Sequence, residues 1–137
     1  MRIKKKVLIL CTGNSCRSQM AEGVLRYFKN EEYEAFSAGT RPSRVNPTAI
    51  KVMKEIGIDL SSHRSKHVDE FNGQVVDIVI TVCDNANESC PVFLGNTKRL
   101  HWFFPDPPHN VEITEEVVEE FRRVRDMIVE KFKPFSI

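Results

Sequence analysis

An uninterrupted apolar run near the beginning of the chain constrains the fold most. Residues 6–11, KVLILC, lack the alternation of a half-exposed strand and predict a strand that is covered on both faces. The stretch 18–30, SQMAEGVLRYFKN, follows with apolar residues at helical spacing. The chain therefore opens with a buried strand, a short loop and an amphipathic helix, which is the beginning of a β–α–β unit.

The alternation of strand and helix continues along the sequence. Further strands are predicted at 33–40, 75–83 and 98–104, and further helices at 46–58 and 113–132. This order predicts an α/β fold with four parallel strands in one sheet. Right-handed crossovers place helices on both faces of that sheet, which gives three layers.

Capping residues mark several helix ends. Asn46 and Pro47 suit the start of the second helix and Gly57 its end, and Thr114 suits the start of the last helix. Residues 61–74 show no clear period, although DEFN at 69–72 would suit the end of another helix.

Length, charge and cysteine content limit the classes of function. The 137 residues predict one domain, 1–137, and the net charge of +1 gives no field that would attract a nucleic acid or a membrane surface. The sequence shows neither a leader nor an apolar run of membrane-spanning length. We therefore expect a cytoplasmic monomer in which the four cysteines are reduced, and as a group they indicate catalytic, redox or metal-binding roles rather than static crosslinks.

Reactive side chains fall at the carboxyl ends of predicted strands. Cys11 and Cys83 each end a strand, and Asp106 follows the strand 98–104. Ligands of parallel sheets bind beyond these carboxyl ends. We therefore expect the three side chains to meet at one rim of the sheet.

The loop at 11–17, CTGNSCR, has the composition of an anion site. Its backbone N–H groups and the following helix N-terminus attract negative charge, and Arg17 adds a planar fork of donors. Gly13 and Asn14 tolerate the left-handed conformations that a tight curl needs. The predicted oxyanion-binding residues are Thr12, Gly13, Asn14, Ser15, Cys16 and Arg17.

Cys11 is the candidate nucleophile of this loop. Groups that bind an oxyanion also stabilise a thiolate, and in such surroundings the pKa of a cysteine falls from about 8.5 to about 3.5–7.5. Ser18 could donate a hydrogen bond to the sulfur. The alternative is a structural cysteine beside a surface arginine, and Cys16 is interpreted as a packed small residue. A nucleotide P-loop is disfavoured because the pattern GxxxxGKS/T is absent.

The motif CTGNSCRSQMAEG resembles the phosphate loop of low-molecular-weight protein tyrosine phosphatases, and more closely that of the thioredoxin-coupled arsenate reductases on the same fold. The resemblance continues through SAGT, VNPTAIKVMKEIGIDLSSHRS, VITVCDNANESCP and HWFFPDP, and so covers nearly the whole chain. It implies a four-stranded parallel sheet flanked by helices. The later pair, Cys83 and Cys90, implies the reductase branch.

The resemblance implies that Cys11 attacks arsenate. Cys83 then attacks the Cys11–arsenic adduct, which releases arsenite and leaves a Cys11–Cys83 disulfide. Cys90 next attacks Cys83 and forms the Cys83–Cys90 disulfide. Thioredoxin reduces the final Cys83–Cys90 disulfide as an external reductant, and no cofactor is implied. A helix over residues 84–90 would hold Cys83 and Cys90 about 10 Å apart, whereas a disulfide needs Cα atoms within about 7 Å. We therefore expect this segment to unwind on oxidation.

Asp106 in FFPDPPHN matches the general acid of the family, the Asp of an Asp-Pro pair. A turn-forming role is the alternative for this residue. The phosphatase branch has an aromatic pair just after Asp-Pro, used against the phosphotyrosine ring. Here Pro107, Pro108 and His109 follow, which argues against phosphotyrosine.

Many reductases of this family bind potassium behind the loop. Asn14, Glu22 and Ser37 match the ligand positions, but Lys66 stands where an acid is expected. We expect the Lys66 ammonium to take the place of the ion beside Asn14 and Glu22, so that potassium does not activate the protein. A solvated surface lysine is the alternative. No other metal site is expected from the cysteines and histidines.

Two other functions stay open at this point. A phosphatase acting on phosphomonoesters or phosphotyrosine proteins would use Cys11, Arg17 and Asp106, with the later cysteines as protection against oxidation. A non-catalytic redox or metalloid sensor would use the thiols to bind a partner. The pair Cys83 and Cys90 favours a reductase over the phosphatase, and the complete nucleophile, arginine and aspartate set favours an enzyme over a sensor.

Overall fold

The computed structural model describes residues 4–83, 96–109 and 111–137. Within them, one four-stranded sheet has the order β2-β1-β3-β4, and every neighbouring pair is parallel. The strands are β1 (Lys5–Cys11), β2 (Tyr33–Gly39), β3 (Ile78–Thr81) and β4 (Lys98–His101). The predicted α/β fold with four parallel strands is thereby confirmed.

Burial explains why β1 occupies the middle of the sheet. Every side chain from Val7 to Leu10 is 0% exposed, and all four residues of β3 are buried. Both faces of the sheet centre are therefore covered, as the apolar runs predict. The edge strand β4 is largely exposed.

Three α-helices flank this sheet in the described residues: α1 (Arg17–Phe28), α2 (Pro47–Lys54) and α3 (Glu115–Phe132). The Asn46 side chain accepts from Thr48 N at 2.8 Å, and Thr114 Oγ1 accepts from Val117 N at 3.3 Å, so both predicted caps are present. Gly57 has a φ of +84° just beyond α2. None of the helices in the described ranges has both the length and the apolar character that crossing a bilayer requires.

A network of ion pairs joins α2 to α3. Arg122 Nη2 lies 2.8 Å from Glu55 Oε2, and Arg125 Nη1 lies 2.8 Å from Glu55 Oε1. Hydrogen bonds from Arg122, assisted by Arg125, lower the pKa of Glu55 to about 2. The network fixes α2, whose first turn lies beside the candidate site.

Two predicted strand boundaries are wrong. β3 is shorter than the predicted 75–83 because Val75 is 57% exposed and lies on the surface before the strand. β4 ends at His101 rather than at Phe104, although Phe104 N still donates to Val82 O at 3.3 Å. The stretch DEFN does lie at the end of a further helix, the short 3-10 helix Val68–Phe71.

Candidate active site

The carboxyl ends of β1, β3 and β4 bring the predicted site residues together. Beyond them lies a cleft of about 260 Å³, lined by Cys11, Gly13, Ser15, Cys16, Arg17, Ser43, Asp106 and His109. Cys83 Sγ lies 3.2 Å from Thr12 Oγ1, at the start of the same loop. Residues from three distant parts of the chain therefore meet at one rim.

Asn14 holds the loop in its shape. Its φ of 47° is left-handed, and its side chain is fully buried. Its Nδ2 donates to Ser18 Oγ and Ser37 Oγ, both at 2.9 Å, and its Oδ1 accepts from Lys66 N at 3.0 Å. Of the two residues expected to tolerate a left-handed conformation, Asn14 adopts it and Gly13 does not.

The segment 41–46 binds the outside of the loop. Arg41 N donates to Thr12 O at 2.9 Å, and Ser43 N donates to Gly13 O at 3.1 Å. Asn46 N donates to Ser15 O at 2.9 Å. In a trans peptide the carbonyl and the next N–H point in opposite directions. Within the described residues, the N–H groups of residues 13–16 make no backbone hydrogen bond. The loop therefore offers a run of donors to an anion.

Gly39 lets β2 pass directly behind the loop. A Cβ at this position would lie 2.4 Å from Thr12 O and 2.9 Å from Asn14 N. Its φ is not positive, so space rather than backbone conformation requires glycine here. Gly39 stands within the SAGT motif, but only the packed structure reveals this role.

Arg17 begins α1 and lines the cleft with a buried guanidinium. Its Nη1 donates to Phe104 O at 3.1 Å. Its Nε is buried and has no hydrogen-bond partner in the part of the chain that the structure describes, although Asp106 Oδ1 lies 3.5 Å away. A buried donor without a partner costs free energy, and an oxyanion in the cleft would satisfy it.

Cys11 and Cys83 are buried, reduced thiols in contact with each other. The hydrogen bond with Cys83, followed by burial, raises the pKa of Cys11, whereas Arg17 and the Thr12 amide lower it. The net direction is upward, so the predicted low pKa is wrong for this arrangement of two neighbouring thiols. In a pair of this kind, loss of the first proton leaves a thiolate that can accept a hydrogen bond from the remaining thiol.

Cys16 and Ser18 serve the loop and the helix in this structure. Cys16 is the N-cap residue of α1, and burial raises the pKa of its thiol. Ser18 is fully buried and accepts from Asn14. The described residues show no hydrogen bond between Ser18 and Cys11, so the donation to sulfur stays a prediction.

Asp106 reaches the cleft from the loop after β4. Its Oδ1 accepts from His109 Nε2 at 2.8 Å. Burial raises the pKa of Asp106, but the hydrogen bond from His109 and the charge of Arg17 outweigh burial and lower it overall. Sequence analysis identified His109 only as a departure from the phosphatase pattern. It did not identify Ser43, because the position of Ser43 depends on how the segment 41–46 folds over the loop.

Glu22 is the centre of a buried group behind the loop. Ser37 Oγ donates to its Oε1 at 2.6 Å, Lys66 Nζ lies 3.8 Å from the same oxygen, and Arg26 Nε lies 3.0 Å from Oε2. Hard cations are held by oxygen atoms, and here two cationic side chains already face the carboxylate. The side chains of Lys66 and Arg26 therefore already supply positive charge to this carboxylate. No group of three described His, Cys, Asp or Glu residues is arranged to hold a metal ion.

Cys90 and the segment 84–90 lie outside the described residues. The predicted transfer of the disulfide to Cys90 and the predicted unwinding of this segment therefore stay predictions.

Residues 6–136 match the family described as low molecular weight phosphotyrosine protein phosphatase. The chain belongs to this family. A curated arsenate reductase of Halalkalibacterium halodurans is 46% identical over 133 residues, which cover 97% of this chain and 96% of the relative.

Solved structures place the chain in the arsenate reductase branch of the phosphatase family. An arsenate reductase in the phosphate-binding state superposes with a TM-score of 0.75 at 35% identity, over 95% of each chain. A thioredoxin-dependent arsenate reductase of Corynebacterium glutamicum gives a TM-score of 0.68 at 25% identity, over 96% of this chain and 61% of that chain. The resemblance inferred from the motifs is thus confirmed.

Proposed function

We propose that this protein is a thioredoxin-dependent arsenate reductase that works as a cytoplasmic monomer. The observation that supports this proposal most is the second thiol, because Cys83 contacts Cys11 at the start of the oxyanion loop. Hydrolysis of a phosphoester needs one nucleophilic sulfur, whereas reduction of an oxyanion needs a neighbouring sulfur to accept the oxidation. The relatives named arsenate reductase support the same choice.

The loop first binds the dianion HAsO4²⁻. The N–H groups of residues 13–16 and the unpartnered Nε of Arg17 donate to its oxygens. The Cys11 thiolate attacks arsenic, while one arsenic–oxygen bond breaks and the leaving hydroxide takes a proton from Asp106. The products are a Cys11–S–AsO3²⁻ adduct and water. Since His109 and Arg17 hold the pKa of Asp106 low, the dianion must first raise it by charge repulsion.

The second step is the reduction. The Cys83 thiol gives its proton to an arsenic-bound oxygen and attacks the Cys11 sulfur, and the sulfur–arsenic bond breaks with its electron pair on arsenic. Arsenic(V) becomes arsenic(III), which takes up protons from water and leaves as arsenite. The two sulfurs have lost two electrons in forming the Cys11–Cys83 disulfide. The buried contact between these thiols supplies the required proximity.

The last steps return the protein to its reduced form. The Cys90 thiolate attacks Cys83, which releases Cys11 as a thiol and forms the Cys83–Cys90 disulfide. The dithiol of thioredoxin then reduces this disulfide and becomes oxidised itself. The motif VITVCDNANESCP supports the assignment of Cys90.

Lys66 acts as a permanent cation behind the loop in this proposal. Its side chain is only 11% exposed, its N–H donates to Asn14 Oδ1, and its ammonium faces Glu22. The backbone of Lys66 thus holds one end of the hydrogen-bonded chain Asn14–Ser37–Glu22, and its ammonium lies 3.8 Å from the carboxylate at the other end. The loop then keeps its shape without an added ion, and turnover does not depend on potassium.

Oxidation of NADPH through thioredoxin reductase and thioredoxin tests the proposal. The wild type should consume NADPH only when arsenate is present, and arsenite should accumulate in equal amount. The Cys90→Ser variant should release about one equivalent of arsenite and then stop, because its disulfide stays buried. Rapid hydrolysis of p-nitrophenyl phosphate without any arsenate-dependent oxidation of NADPH would instead establish the phosphatase alternative.

A further inference from the structure

A hydrogen-bonded chain connects the first turn of α2 to the acid of the cleft. Asn46 caps α2 with its Oδ1, which accepts from Thr48 N at 2.8 Å. The Asn46 Nδ2 lies 3.5 Å from His109 Nδ1, and His109 Nε2 lies 2.8 Å from Asp106 Oδ1. The cap, the imidazole and the carboxylate therefore follow one another in a line.

The cap determines which ring nitrogen of His109 carries the proton. Because Asn46 Oδ1 already accepts from the N–H groups of Thr48 and Ala49, the amide presents its N–H group to His109. His109 Nδ1 therefore faces a donor and is the unprotonated ring nitrogen, which accepts a hydrogen bond. The proton lies on Nε2, where it is donated to Asp106.

The same carboxylate oxygen forms a long ion pair with Arg17 but no hydrogen bond. Asp106 Oδ1 is 3.5 Å from Arg17 Nε, and that Nε is buried without a hydrogen-bond partner among the described residues. Opposite charges at this separation attract, and a small movement of the half-exposed carboxylate would turn the long ion pair into a direct hydrogen bond. Such a pair would occupy the donor that an oxyanion needs.

We infer that His109 is a positioning residue that holds Asp106 back from Arg17 and thereby keeps the Arg17 Nε available to the oxyanion. Its hydrogen bond to Asp106 Oδ1 competes with Arg17 for that oxygen, and Asn46 fixes the ring in the competing orientation. This role deepens the proposed function, because arsenate would bind at the same Nε.

Binding of inorganic phosphate, measured by calorimetry, tests this role without turnover. In His109→Ala, Asp106 should close on Arg17 and weaken phosphate binding roughly fivefold, the order expected for one half-exposed ion pair. His109→Gln keeps an N–H donor and should restore most of the affinity. In the Asp106→Asn background, His109→Ala should leave the affinity unchanged, since no carboxylate is left to compete.

Two results would overturn the inference. One is a His109→Ala variant that is folded, as judged by its thermal melting, and binds phosphate as tightly as the wild type. The other is an equal loss in the Asp106→Asn background, which would mean that His109 contacts the anion directly. If the phosphate cycle behaves as expected but arsenate produces no turnover, the proposed function fails while the role of His109 stands.

Discussion

Replacing Gly39 by alanine tests how tightly the packing of β2 determines the geometry of the oxyanion loop. The new Cβ would lie 2.4 Å from Thr12 O and 2.9 Å from Asn14 N, whereas ordinary contact begins near 3.4 Å. Both neighbours are backbone atoms, so no side chain can turn away. Gly39 is itself held by its pairing with Cys11 and by a 2.9 Å hydrogen bond to Lys66 O.

The loop must therefore give way by about 1 Å, which is the scale at which a misplaced catalytic group costs about 100-fold in rate. We expect kcat/KM for arsenate to fall by about that factor and the affinity for phosphate to fall with it. The overlap should also lower the free energy of unfolding by about 1–3 kcal/mol. Arsenate-dependent oxidation of NADPH, phosphate calorimetry and urea unfolding measure the three quantities.

Gly73→Ala is the matched control. A Cβ there meets no atom within 4 Å, but the φ of +73° makes alanine strained, so stability should fall by about 1–2 kcal/mol. Its folded fraction should keep the wild-type kcat/KM because the loop is untouched. A folded Gly39→Ala variant with kcat/KM within twofold of the wild type would refute the reasoning.

Three further predictions concern charge and ionisation. Cys83→Ala removes the largest influence that raises the pKa of Cys11. The rate of Cys11 alkylation, measured by peptide mass spectrometry, should therefore reach half its maximum at a lower pH than in the wild type. An unchanged or higher midpoint would contradict this. Lys66→Asp should make turnover depend on potassium, with sodium at equal ionic strength as control, while strong activation of the wild type would exclude the proposed role of Lys66. Glu55 has a folded pKa of about 2, below the value of about 4.3 in an unfolded chain, so its contribution is complete above pH 5 and is lost as the pH falls towards 2. Glu55→Gln should therefore cost about 1 kcal/mol at pH 7, allowing for solvent screening, and should flatten the acid limb of stability in urea unfolding; an unchanged acid limb would rule out this contribution.

The sequence predicted those features that depend on local pattern. The apolar run 6–11 can satisfy its backbone and bury its side chains only at the centre of a sheet, and the structure places it there. Asn46 and Thr114 cap their helices through hydrogen bonds that span only a few residues. The convergence of Cys11, Cys83 and Asp106 followed from the rule that parallel strands share one carboxyl edge.

Features that depend on distances between remote segments were not predicted. The pKa of Cys11 is decided by contact with Cys83, which the sequence could place at the same rim but not within hydrogen-bonding distance. His109 matters because Asn46, far away in the chain, orients its ring. Gly39 is required by the proximity of two backbones, for which a sequence pattern offers only the glycine itself.

The most direct test of the account is the reaction of one equivalent of arsenate with the reduced Cys90→Ser variant in the absence of thioredoxin. Peptide mapping by mass spectrometry should find a disulfide between Cys11 and Cys83, together with one equivalent of arsenite. Arsenite released without this disulfide, or a disulfide that includes Cys16 instead, would contradict the proposed transfer of electrons from these two sulfurs to arsenic.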